Sequence, residues 1–165
     1  MVRIRFVPAL ITLAFGLVGA VGVAIPAVAA SPPTPATIET LIDFTSFPFH
    51  GTFTVPIGAD ALGCAAGTFV DIPREGGPGQ IDKHIVCTSG PGAGDGFVVQ
   101  FKHDCTFLSR SVFRCVPGPG VLNGHWMILS GSGYFATLHG SGDISIVFPG
   151  PVTGQETLVG MIHRD

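Results

Sequence analysis

Leu-Ser-Gly-Ser-Gly-Tyr-Phe-Ala-Thr-Leu-His-Gly-Ser-Gly, residues 129–142, carries a Gly-Ser-Gly at 131–133 and another at 140–142. Between them Tyr134, Ala136 and Leu138 alternate with Phe135, Thr137 and His139, which is the period of a β-strand. Glycine tolerates positive φ and close backbone approach, so each Gly-Ser-Gly reads as a tight turn or bulge. A short strand pinned between two such corners suits a closed or strongly curved antiparallel sheet better than a flat one.

Strand periodicity extends in both directions from this stretch. Ile38, Thr40, Ile42 and Phe44 share one face against Glu39, Leu41 and Asp43, and Gly51, Phe53, Val55 and Ile57 repeat the pattern against Thr52 and Thr54. Residues 68–72 and 83–88 follow as short strands, separated by the loop composition of 73–80. The clearest alternation sets Phe97, Val99, Phe101 and His103 against Val98, Gln100, Lys102 and Asp104. Segments 111–116 and 121–129 flank Pro117-Gly118-Pro119-Gly120, read as a reversal that joins them. Ile144, Ile146 and Phe148 are expected to face inward, and 157–163 is the last strand. No mature segment longer than one turn keeps an apolar period of 3.6. Nine or ten short strands between turn signals therefore give an all-β fold, an antiparallel barrel with a β-sandwich as the alternative.

The start of the chain reads differently. Arg3 and Arg5 precede an almost wholly apolar run over 6–25, Pro26 breaks it, and Ala27-Val28-Ala29 offers the small residues of a processing site. Residues 1–29 are thus expected to be a signal peptide, the alternative being an uncleaved membrane anchor. Residues 30–36 are expected to be a Pro-rich leader, and 37–165 a single domain. The exported remainder of 136 residues suffices for one core. It sets six basic residues against 11 acidic ones, a formal net charge of −5 without a basic run, which argues against nucleic acid and anionic lipid as partners. The expected location is extracellular, with no stable membrane insertion after cleavage.

Cys64, Cys87, Cys105 and Cys115 all lie in the exported part, where structural disulfides prevail over metal ligation. Of three connectivities, Cys105–Cys115 closes an easy nine-residue loop and leaves Cys64 with Cys87. No Cys-x-x-Cys is present, and none of the six histidines sits at the spacing of a ligand motif, so no metal or cofactor is expected. Ser132 and Ser141 lack the Gly-x-Ser-x-Gly of a nucleophile elbow. Asp71, Glu75 and Asp82 read as loop-associated, solvated carboxylates. His103 is the residue of interest: on the face of Phe97, Val99 and Phe101 it would project into an apolar interior. His125, beside Trp126 and sharing a face with Val121, Met127 and Leu129, is given a similar place.

The run Gly131-Ser132-Gly133-Tyr134-Phe135-Ala136-Thr137-Leu138-His139-Gly140 resembles the Gly-x-Gly-x-aromatic-x-x-x-x-Gly hairpin of plant allene oxide cyclases, dirigent proteins and their secreted bacterial relatives. Gly131 and Gly133 take the leading glycines, Phe135 (more loosely Tyr134) the aromatic, and Gly140 the closing glycine. The preceding Trp126-Met127-Ile128-Leu129 is similar to the apolar strand that enters that hairpin. The resemblance implies an eight-stranded antiparallel barrel with a hydrophobic cavity, often in a homo-oligomer. The activities it implies range from cyclisation of a lipid epoxide to the steering of radical coupling. The acidic and arginine residues of dirigent cavities match no positions here, the two disulfides are a departure, and no catalytic residue carries over.

Three functions follow as expectations. The barrel binds a small apolar molecule through Phe97, Val99, Phe101, His103 and His125. Alternatively it is a structural or interaction module of the cell envelope with a filled core, or a cyclase or isomerase acting by confinement.

Overall fold

The computed structural model describes residues 30–74, 80–103, 105–109, 112–115 and 121–165, and side chains outside 103–121; the expected signal segment lies outside the described residues. Ten strands follow in chain order: β1 (Thr34–Asp43), β2 (Phe49–Ile57), β3 (Ala66–Pro73), β4 (Gln80–Cys87), β5 (Gly96–His103), β6 (Cys105–Ser109), β7 (Val112–Cys115), β8 (Val121–Gly131), β9 (Leu138–Gly150) and β10 (Thr153–Arg164). Eight of them close a barrel in the order β1-β10-β9-β8-β5-β4-β3-β2, every pair antiparallel, while β6 and β7 form a separate ribbon. The barrel is an up-and-down meander, interrupted once by the ribbon and sealed by the β1–β10 ladder from Thr34↔Ile162 to Asp43↔Thr153. Closure removes the edges that a sandwich would leave unpaired.

Alternation decides what fills it. Ile38 and Ile42, Phe53 and Val55, Phe69, Ile81 and Ile85, Phe97, Val99 and Phe101, Trp126, Ile144 and Ile146, and Leu158 and Ile162 all point inward and are buried. Trp126 needs unusual space. Gly142 faces both Trp126 and Gly160 across its two ladders, and a Cβ on Gly160 would stand 2.6 Å from the indole. The two glycines let the ring lie close to the wall, where its Nε1 donates to the Val159 carbonyl at 3.3 Å.

One end is plugged. Helix α1 (Ala59–Leu62) and a 3-10 turn (Gly133–Phe135) bring Leu62 and Phe135 to full burial, with the Phe135 ring 5.0 Å from that of Phe97. A disulfide joins Cys64 to Cys87, and Arg164 Nη2 donates to the Leu62 carbonyl at 2.8 Å while its Nη1 donates to that of Tyr134. At the opposite end Phe44 packs edge-on against Phe49 and stacks on Phe148.

Several sequence expectations are revised. The run 134–139 is no strand between two corners: Gly133–Phe135 turns, and β9 starts at Leu138 and carries Gly140 and Gly142 within it. Of the glycines that flank the run in the two Gly-Ser-Gly stretches, Gly133 has φ +53° and Gly140 is not among those with positive φ. The segments on either side of Pro117–Gly120 belong to different sheets among the described residues: β7 pairs with β6, and β8 with β5 and β9. Within the stretch 30–36 expected to be a leader, β1 already begins at Thr34, and Ser31 exchanges hydrogen bonds with Arg164. Phe148 ends partly exposed at the rim rather than inside. Cys105 and Cys115 stand opposite each other in the ribbon register, but their expected bridge lies outside the described side chains.

Candidate functional site

Among the described residues, the buried polar side chains of the barrel are Thr40, Asp71, Lys83 and Glu156. Each belongs to the inward register of its strand: Asp71 follows Gly67 and Phe69 on β3, Lys83 lies between Ile81 and Ile85 on β4, and Glu156 precedes Leu158 on β10. Asp71 and Lys83 are direct cross-strand partners, as are Thr40 and Glu156. In the ring of eight, β4 and β10 are four places apart, so the two pairs come from opposite walls.

The lysine spans the lumen between them. Its Nζ donates to Asp71 Oδ1 at 2.7 Å and stands 3.0 Å from Glu156 Oε2, which also accepts from Thr40 Oγ1 at 2.8 Å. The same ammonium sits 3.4 Å from the centroid of the Phe69 ring and 5.3 Å from that of Phe101. Two carboxylates and one aromatic face thus supply partners for the three N–H donors. Lys83 is 0% exposed, Asp71 and Glu156 2%. Burial pushes the Asp71 carboxyl up to about 7; Lys83 pulls against that shift and the Glu156 carboxylate adds to it. Chemically the cluster can hold a proton near neutrality and tie two walls together.

Phe97, Val99 and Phe101 do line the interior, packed among the other buried side chains. His103 continues β5 opposite Gly124, but its side chain is outside the described part of the structure. His125 faces out, contrary to its expected place beside the inward Trp126. Successive residues of a strand point to opposite sides, so Met127 and Leu129 are exposed with it. Its side chain is 86% exposed and pairs with Asp143 of β9 at 2.8 Å. On the same wall the rings of His139 and His163 stack at 5.3 Å beside Asp165. Among the described residues no three metal-ligating groups are arranged to hold an ion.

Asp71 is therefore not the solvated loop carboxylate expected, and Asp82 is no loop residue either: it lies within β4, its side chain 15% exposed, and pairs with Arg74 at 2.7 Å. Glu75 lies outside the described residues. A signal for the cluster was present: one charged residue on the apolar side of the alternation in each of three strands, two acids and one base. The chain matches no protein-family model, no curated protein and no solved structure.

Proposed function

We propose that the protein is an exported, non-catalytic module of the cell envelope, a barrel filled by its own side chains that makes its contacts from outside. The observation that carries this reading is the complete burial of Lys83, Val99 and Leu158, each with 0% of its surface exposed. A ligand cavity of a few hundred Å³ beside them would leave part of their surface open. Export is supported by the apolar segment over 6–25 and by the Cys64–Cys87 disulfide, which suits an oxidising compartment.

The outer wall offers material for recognition. A groove of about 700 Å³ is lined by Lys102, Asn123, His125, Asp143 and Val159, and Met127 and Met161 are exposed on the same strands. Glu39 and Asp143 also stand outward in mid-strand, which suits an aqueous partner rather than a lipid belt.

A second reading, binding of a small apolar molecule, is favoured by one feature. At the end opposite the plug, Phe47, Phe148 and Val152 present an exposed apolar rim. The cyclase or isomerase reading, which rests on the resemblance to allene oxide cyclases and dirigent proteins, carries no catalytic residue over, and the two described acids inside the barrel, Asp71 and Glu156, are sealed. The test is titration of the exported protein with a lipophilic fluorescent dye. Binding no better than to a reduced, unfolded sample is expected. Saturable binding that a long-chain fatty acid displaces would establish the second reading instead.

A further inference from the structure

We propose that Asp71, Lys83 and Glu156 form a pH-sensitive latch across the barrel, closed while the cluster holds a proton and loosened when alkali removes it. The geometry carries the argument. Two carboxylates from separate walls, β3 and β10, lie within 3.0 Å of one ammonium from β4. With both ionised the cluster carries an uncompensated negative charge in a site that is 0–2% exposed, where water cannot screen it.

Nothing else among the described inward residues supplies the missing positive charge. Strand β1 contributes the neutral Thr40, β2 Phe49 and Phe53, β5 Val99 and Phe101, β8 Leu122 and Trp126, and β9 Ile144 and Ile146. A proton on the carboxylate pair balances the lysine, and losing it sets Asp71 and Glu156 against each other. The Asp71 carboxyl, pushed up to about 7 by burial, titrates where this matters. Its folded affinity for the proton exceeds the ordinary one, with its value near 3.8. The stabilisation is thus complete below about pH 4 and is lost as pH rises through about 7.

Hydrogen exchange read by mass spectrometry at pH 6 and pH 9, corrected for intrinsic rates, tests the latch on the whole exported chain. In the wild type, amides of β3, β4 and β10 are expected to exchange roughly tenfold or more faster at pH 9, since each pH unit above the transition adds up to a factor of ten. Asp71→Asn should remove that difference. Glu156→Gln should remove it too, because the remaining aspartate–lysine pair is balanced without the extra proton. Asp143→Asn on the outer wall should keep it. A wild type without the pH response, or an Asp71→Asn variant that retains it in full, would overturn the proposal; if Asp71→Asn does not fold, Glu156→Gln decides alone.

Discussion

At position 133 the backbone turns with φ +53°, and a Cβ there would lie 2.3 Å from the carboxylate of Asp95, which accepts a hydrogen bond from the Tyr134 N–H at 2.8 Å. Gly133→Ala therefore meets both strain and a clash, and chemical denaturation should show a loss of about 1 kcal/mol or more. Gly140→Ala is expected to cost stability for another reason. Its backbone is ordinary for a strand, but the new methyl would press on Ile162 Cγ2 and the Met161 carbonyl, each 2.9 Å away. Sequence spacing exposed the need for glycine at both positions but not which constraint acts, because a turn and a tight strand crossing use the same residue. Asp71 failed to stand out for a related reason. A lone acid after Phe69 looks like the end of a strand until Lys83 and Glu156 are seen to converge on it.

At the scale of elements, alternation located most barrel strands to within a few residues, since each has one apolar and one mixed face. Where alternation carries no meaning, the reading failed. The 3-10 turn at Gly133–Phe135 mimics two steps of a strand, yet it drives Phe135 into the barrel end and leaves Tyr134 outside. The ribbon β6–β7 is likewise invisible to local pattern, because whether a strand joins the barrel depends on its distant partner. The plug yields two expectations. Phe135→Ala should cost about 3–5 kcal/mol in an unfolding titration, the usual loss for emptying a buried aromatic site. Opening the Cys64–Cys87 bridge, which closes a sequence separation of 23, should cost about 3 kcal/mol as a Cys64→Ser/Cys87→Ser double variant.

For the molecule as a whole, an apolar alternating face shows which side is inside, but not whether the inside is full. Filling depends on how side chains from opposite walls meet. Here that is decided by Phe69, Phe101 and the aliphatic stem of Lys83 reaching over the lumen, with glycines making room for Trp126. Wild-type and Lys83→Met stabilities, compared by denaturant unfolding at pH 8, test this account most directly. Removing the ammonium strands two buried carboxylates, and the expected loss is about 3–5 kcal/mol. A change within about 0.5 kcal/mol, as for a solvent-exposed ion pair, would mean that water reaches the cluster and that the barrel is open.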